Sequence, residues 1–160
     1  NIGWILTWHY LFIYASVLIM LILLFSLTKI FLLLQSVILT SLTEKIFIQL
    51  AFTFYFSWIC VATIANISAL LVSLSWDGGI LSPIMWAITM ISVASVLGIF
   101  ISIRFREPAF LLVLMWALYG IYSKWTDTEN NSIAITTLIL LLLIAVTFFA
   151  LLPGFKKKSA

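Results

Sequence analysis

Long apolar runs separated by short polar links make up almost the whole chain. The first run predicts a helix from about Leu11 to Gln35, and the second predicts a helix from about Leu42 to Leu74. Three further helices are predicted from about Pro83 to Ile103, Pro108 to Lys124 and Ile133 to Leu152. Apolar runs of about 18 or more residues are typical of transmembrane helices. The pattern therefore predicts an all-α fold, a polytopic membrane helix bundle with about five transmembrane helices.

The links carry signals for where helices begin and end. Ser41 and Glu44 have the spacing of a capping box, in which the carboxylate reaches back to the backbone amide of the cap residue. The Asp-Gly-Gly sequence at 77–79 predicts a turn after the second helix. Ser82 followed by Pro83 suits an N-cap and a first helical position, so these two residues are expected to begin the third helix.

The second helix contains polar residues that lipid cannot satisfy. At about 100° per residue, one face about 120° wide collects most of them: Gln49, Thr53, Ser57, Cys60 and Thr63. Asn66 falls on the flank of this face, and Trp58 falls opposite to it. An amide without a partner costs several kcal/mol in lipid. Two hypotheses remain open: hydrogen bonding between packed helices, or a polar spot in a ligand pocket.

The composition indicates the class of protein. Of the 160 residues, 65% are hydrophobic and 8% are charged, and the mean hydropathy is +1.29. A soluble domain has roughly a quarter of its residues charged. We therefore expect an integral membrane protein that is surrounded by the lipid bilayer. The net charge of +3 includes three lysines at 156–158, so it does not indicate binding to nucleic acid.

The basic residues are distributed unequally between the two predicted sides of the membrane. Seven of the eight Lys and Arg residues fall on one side: Lys29, Lys45, Arg104, Arg106, Lys156, Lys157 and Lys158. Lys124 falls on the other side, together with the acidic residues Asp77, Asp127 and Glu129. Because an excess of Lys and Arg marks the cytoplasmic side of a membrane protein, the distribution predicts a cytoplasmic C-terminus.

Few residues offer reactive chemistry. His9 is the only histidine and Cys60 the only cysteine, so neither a metal site nor a disulfide within the chain is predicted. The carboxylates fall in the links between helices, which argues against a proton relay through the membrane. No nucleophile–base pair or phosphate-binding loop is evident, so no enzyme is predicted. Trp116, in the middle of the fourth predicted helix, is interpreted as a packing residue.

The stretch FYFSWICVATIAN at 54–66 resembles the fifth helix of the TspO family, which includes the tryptophan-rich sensory proteins and the mitochondrial translocator protein. The matching residues are Tyr55, Trp58, Ala62, Thr63 and Asn66. The opening NIGW is similar to the Asn-x-x-Trp of the third helix of that family, with Asn1 and Trp4 in the matching positions. More specifically, residues 41–79 resemble a longer bacterial branch that has extra helices.

The resemblance also implies an organisation of the chain. Residues 1–75 would form a TspO-like partial helix bundle, comprising the end of helix three and helices four and five. Residues 76–160 would form an additional three-helix membrane region with a basic C-terminal tail. The resemblance implies a turn near His9 and Tyr10, although periodicity alone would allow one helix to continue through them. The proline of helix five is replaced in this sequence. The first two family helices have no counterpart here, and whether they belong to a longer protein stays open.

The function implied by the resemblance is binding. TspO-like proteins bind tetrapyrroles such as protoporphyrin, and some bind sterols and aromatic drugs. This implies a membrane binding or sensory protein for a hydrophobic small molecule, with a tetrapyrrole as its ligand. The residues carried over from the family as candidate ligand-binding residues are Asn1, Trp4, Trp58, Ala62, Thr63 and Asn66. A structural subunit, a permease-like transporter component and a homodimer stay open. The longer branch implies a multi-pass protein of the bacterial plasma membrane.

Overall fold

Helices account for nearly all of the structure. The computed structural model describes residues 1–38, 40–76, 78–127 and 131–152, and the predictions for Asp77, Glu129 and the lysines at 156–158 lie outside these ranges. The described residues form six helices and no strand: α1 Ile2–His9, α2 Ile13–Ser36, α3 Leu42–Ser73, α4 Pro83–Phe105, α5 Ala109–Trp125 and α6 Ser132–Leu151. This confirms the predicted all-α fold.

Four of these helices, namely α2, α3, α4 and α6, are long and apolar enough to cross a membrane. The remaining predicted span, the fourth along the chain, is α5, which is apolar but has only 17 residues. At 1.5 Å per residue it is about 25 Å long, against a hydrocarbon core of about 30 Å. The observed helix boundaries agree with the predicted ones to within about two residues at each end. Polar residues favour water over lipid, so the helices end where the apolar runs give way to polar links.

A turn separates α1 from α2, as the resemblance implied. His9 ends α1, and Leu11 adopts a φ of 58°. The Phe12 N–H donates to the Thr7 carbonyl oxygen at 2.8 Å, and this bond closes the turn. Left-handed backbone is uncommon for a residue with a side chain. Periodicity alone could not have revealed the turn, because no glycine or proline marks it.

The beginning of α3 combines a predicted cap with an irregularity that was not predicted. The Thr43 N–H donates to Ser41 Oγ at 3.2 Å, and the Ser41 N–H donates to Glu44 Oε2 at 3.3 Å, which confirms the capping box. The segment Lys45–Leu50 is π-helical. A π-turn is wider than an α-turn and shifts the faces of the helix before it relative to those after it.

The link between α3 and α4 contains two glycines in left-handed backbone. Gly78 has a φ of 92° and Gly79 a φ of 65°, and a Cβ at Gly78 would overlap the Leu81 carbonyl oxygen. The turn expected after the second helix is therefore present. The Met85 N–H donates to Ser82 Oγ at 3.3 Å, which confirms that Ser82 caps α4.

The chain divides into two compact units, Asn1–Trp86 and Ala87–Ala160. The predicted division into 1–75 and 76–160 stays a prediction. In the first unit, α2 packs along α3 and α1 packs against α2. The rings of Phe31 on α2 and Phe56 on α3 stack with their centroids 4.9 Å apart, and both side chains are buried.

In the second unit, α5 packs along α6. The buried residues of the two helices include Leu111, Leu114 and Ile144. Trp116, interpreted above as a packing residue, is 65% exposed, so it does not pack into the core of this unit. Glu107 lies in a link as predicted, but it is buried.

Candidate functional site

The polar residues of α3 mostly face protein. The buried residues of its regular part are Thr53, Phe56, Ser57, Ile59, Thr63 and Asn66. Asn66, placed on the flank of the polar face by the sequence, is only 2% exposed. Trp58 lies opposite to the face and is 39% exposed. The predicted distinction between a protein-facing side and the side of Trp58 therefore holds.

Asn66 hydrogen-bonds to the neighbouring helix. The Ser16 hydroxyl on α2 lies 3.0 Å from Asn66 Oδ1, and Ser16 is fully buried. The same hydroxyl lies 2.8 Å from the Ile13 carbonyl oxygen. Ser16 is thus the partner that the sequence argument required for Asn66. The sequence analysis missed Ser16, because a small hydroxyl residue in an apolar run does not show which helix it will face.

Only one of the two polar atoms of the Asn66 amide has a hydrogen-bond partner among the described residues. Its nitrogen Nδ2 is buried and has no partner among the described residues. Turning the amide by 180° would let the nitrogen donate to Ser16 Oγ, but the oxygen would then occupy the position without a partner. In either orientation, one polar atom of this buried amide has no partner within residues 1–38, 40–76, 78–127 and 131–152. Such groups are rare in proteins and require an explanation.

Three of the candidate residues form a stripe along α3. Trp58, Ala62 and Asn66 are spaced four residues apart, so each lies about 40° around the helix and about 6 Å along it from the previous one. Ala62 is half-buried at the centre of this stripe. The stripe therefore presents an aromatic ring, a small residue and an amide over a length of about 12 Å.

Thr63 is directed away from this stripe. It is about 100° around the helix from Ala62, and its Oγ1 donates to the Ile59 carbonyl oxygen at 2.7 Å. Its only hydroxyl proton is used within α3, and the side chain is buried. These contacts fit a packing role, so its predicted contact with a ligand gains no support from the geometry.

Trp4 lies on α1 and Asn1 directly precedes this helix, whose extensive contacts are with α2. Asn1 is exposed, and its side chain makes no capping bond to the helix it precedes. The Trp4 ring stacks on Trp8 with centroids 5.9 Å apart, and its buried Nε1 has no partner among the described residues. The meeting of these two residues with the stripe on α3 stays a prediction.

An open depression lies at the same end of α2 and α3 as Asn66. Its volume is about 420 Å³, and its lining is formed by Leu11, Phe12, Ile13, Tyr14, Ala15 and Ser73. None of the six candidate residues lines it. The sequence analysis missed this depression. It is formed by the turn after α1 and the end of α3, and a contact between segments that are distant in sequence has no signal within either segment.

The stripe on α3 offers an aromatic ring, a methyl group and an amide to a neighbouring molecule. In the described ranges, no group of three or more His, Cys, Asp or Glu residues is placed to hold a metal ion. His9 lies against the Tyr10 ring with centroids 5.2 Å apart. An aromatic face, a small residue and an amide can orient a flat apolar molecule.

Comparison with known proteins places the chain in a family. The family model described as TSPO-like protein matches residues 1–150. No curated protein and no solved structure matches the chain. The family match includes the NIGW opening and the Trp58-to-Asn66 segment, and it continues through α4, α5 and almost all of α6. The chain is therefore a multi-pass, TspO-type membrane protein and belongs to the TSPO-like protein family.

Proposed function

We propose that this chain is a membrane binding or sensory protein whose ligand is a flat hydrophobic molecule, a tetrapyrrole such as protoporphyrin. The observation that supports it most is the buried Asn66 amide, which contacts Ser16 through one atom and whose other polar atom has no partner in the part of the chain that the structure describes. A sterol is the second ligand class open to the same stripe. Family membership supports the type of protein, and the stripe on α3 supports the type of ligand.

Helix packing explains only half of what Asn66 does. A hydrogen bond to Ser16 is the expected device for joining two membrane helices. If Asn66 only joined α2 to α3, a hydroxyl side chain at position 66 would bond to Ser16 equally well. No amide atom would then be left unsatisfied. Other polar side chains of α3 use their protons within the helix, as Ser68 and Ser73 do with the carbonyl oxygens of Ile64 and Leu70. The unsatisfied amide therefore favours the ligand hypothesis.

Trp58 and Ala62 provide the surface that a flat ring system needs. Trp58 is partly exposed, so its indole ring is accessible to a molecule that enters from the membrane. Aromatic rings attract other ring systems in offset or edge-to-face geometry by about 0.5–1.5 kcal/mol beyond the burial of area. Ala62 leaves room beside the indole, because its side chain is a single methyl group.

Titration with protoporphyrin tests the proposal. The chain in lipid nanodiscs should show saturable quenching of tryptophan fluorescence at concentrations on the order of micromolar. Trp58→Ala should raise the Kd about twofold to tenfold, since it removes the aromatic contact. Trp116→Ala is the matched control, because Trp116 is also an exposed tryptophan in mid-helix, and its Kd should not change.

Other outcomes would point to the alternative functions. Non-saturable quenching, or equal effects of the two tryptophan changes, would contradict binding at the stripe. Stable co-purification with fixed partners and no ligand would favour a structural subunit. Substrate flux in proteoliposomes that is lost when Thr53 and Ser57 are changed would favour a permease-like transporter.

The proposed location is the bacterial plasma membrane with a cytoplasmic C-terminus. The orientation is supported by the seven-to-one distribution of Lys and Arg between the two sides. A homodimer is compatible with the large apolar side chains exposed on every helix. A reporter that is active only in the cytoplasm, fused after Ala160, should be active. An inactive fusion of full length would contradict the orientation.

A further inference from the structure

Lys29 is a charged residue well inside a membrane-spanning helix. It lies seven residues before Ser36, the last residue of α2, which places it about 10 Å along the helix from that end. Every other Lys, Arg, Asp or Glu residue described in the six helices lies within three residues of a helix end. A charged group at such a depth is costly, so it requires a partner or a route to the interface.

The structure gives Lys29 an aromatic contact but no neutralising one. Its side chain is exposed, and its Nζ lies 5.4 Å from the centroid of the Phe25 ring. Phe25 is one helical turn closer to the middle of α2 and is 66% exposed. In the described part of the chain, Lys29 makes no ion pair with a carboxylate. An aromatic ring attracts a cation, but it does not cancel the charge.

A second copy of the chain is poorly suited to supply the missing anion. Glu44 and Glu107 are the described carboxylates on the same predicted side of the membrane as Lys29. Glu44 accepts a bond from the backbone amide of Ser41, and Glu107 is buried. A copy that packed symmetrically on this face of α2 would bring a second Lys29, and like charges repel. The surrounding bilayer is therefore the source of anions that an exposed Lys29 can reach.

The depth of Lys29 matches the position of a lipid phosphate. α2 has 24 residues and is about 36 Å long, against a hydrocarbon core of about 30 Å, so its ends lie among the headgroups. The long stem of a lysine lets its ammonium group extend from within the core to the interface. Below Lys29, towards the middle of α2, the exposed side chains of Phe25 and Ile22 form an apolar surface.

We propose that Lys29 binds the phosphate of an anionic phospholipid, whose acyl chains lie along Phe25 and Ile22. The ammonium group has three N–H donors, and its hydrogen bonds to phosphate oxygens are charge-assisted. A free phosphate ion would have to leave water to approach this depth, whereas a lipid carries its phosphate at the edge of the hydrocarbon core. This inference is independent of the ligand proposed for the stripe on α3.

Titration with two lipids of different charge tests this site. Native mass spectrometry of the full chain in detergent micelles resolves the binding of the first lipid molecule. Phosphatidylglycerol is anionic, and phosphatidylcholine with the same acyl chains is zwitterionic. Lys29→Gln should raise the Kd of phosphatidylglycerol about fivefold, the factor expected for one lysine at an anionic membrane surface. It should leave the Kd of phosphatidylcholine within about twofold, and Lys29→Arg should leave both within that factor.

Lys45→Gln is the matched control, because Lys45 is an exposed lysine on the same predicted side. It should change neither Kd by more than about twofold. A loss for Lys29→Gln that is confined to phosphatidylglycerol supports the site. Equal weakening by Lys29→Gln and Lys45→Gln would mean diffuse attraction and would overturn it, as would weakening of both lipids by Lys29→Gln. Equal affinity of the native chain for the two lipids would also overturn it, and a carboxylate of a partner membrane protein would then be the counter-charge to seek.

Discussion

At the scale of single residues, one hydrogen bond connects two membrane helices at a position where lipid offers no alternative partner. Ser16 and Asn66 are both buried, and their side chains lie 3.0 Å apart. Asn66 would lose this partner if Ser16 became apolar, whereas Ser16 would keep the Ile13 carbonyl oxygen at 2.8 Å. The bond therefore contributes to the packing of α2 on α3 in addition to any role in binding a ligand.

This bond should appear as a coupling energy. In a double-mutant cycle of Ser16→Ala and Asn66→Leu, the coupling should be about 0.6 kcal/mol or more and should not exceed about 1.7 kcal/mol, since these are the mean and the maximum for hydrogen bonds between membrane helices. The measurement is the free energy of unfolding in mixed micelles.

A cycle of Ser26→Ala with Asn66→Leu is the control. Ser26 is exposed and donates to the Ile22 carbonyl oxygen within α2, about 15 Å along the helix from Ser16, so its effect and that of Asn66 should add within about 0.3–0.5 kcal/mol. A coupling between Ser16 and Asn66 no larger than this control would mean that the bond does not stabilise the helix pair.

The need of Asn66 for a partner could be predicted, because the cost of an unpaired amide in lipid depends on the residue alone. The identity of the partner could not be predicted. A helical wheel gives directions around one helix, and it does not show which neighbouring helix lies in each direction. The unsatisfied atom of the Asn66 amide likewise could be identified only from the positions of the surrounding donors and acceptors.

At the scale of helices, apolar length and cap residues were sufficient to place α3, α4, α5 and α6, but not the division between α1 and α2. The capping box at Ser41 and the cap at Ser82 depend on side chains within three residues of the helix start, so local sequence determines them. The π-helical segment Lys45–Leu50 has no such local signal. The turn at Leu11 was predicted only through the family resemblance. Its left-handed backbone is usually formed by glycine or asparagine, and leucine gives no signal for it.

Close packing in the second unit depends on a glycine of α4. A Cβ at Gly98 would overlap Leu114 Cδ1 and would touch Phe110, whereas a Cβ at Gly120 on α5 would meet nothing within 4 Å. Gly98→Leu should therefore lower the free energy of unfolding by about 1–3 kcal/mol, because the enlarged side chain forces its neighbours to shift.

Gly120→Leu is the matched control and should not lower this free energy, since leucine favours a helix more than glycine does. Both variants are measured in the same micelles. Equal losses would mean that the effect comes from the change of residue type rather than from the packing of α4 on α5.

At the scale of the whole molecule, composition was sufficient to predict the class of protein, and the Trp-Ala-Thr-Asn spacing was sufficient to predict the family. The candidate site was predicted in part. Trp58, Ala62 and Asn66 share a stripe because their spacing is a property of one helix. Whether Asn1 and Trp4 lie close to this stripe depends on how α1 packs relative to α3. The sequence of a single helix does not determine how it packs against another.

The affinity for protoporphyrin IX after Ala62→Phe tests most directly whether the stripe of Trp58, Ala62 and Asn66 binds a ligand. Ala62 lies between Trp58 and Asn66, so a phenyl ring there fills the space that the ligand would occupy. Ala150→Phe is the control, because Ala150 is exposed near the end of α6. We expect the Kd to be at least about tenfold higher for Ala62→Phe and unchanged for Ala150→Phe. Both variants should have the same helix content as the native chain. Saturable binding of equal affinity to both variants would contradict a ligand site on this stripe.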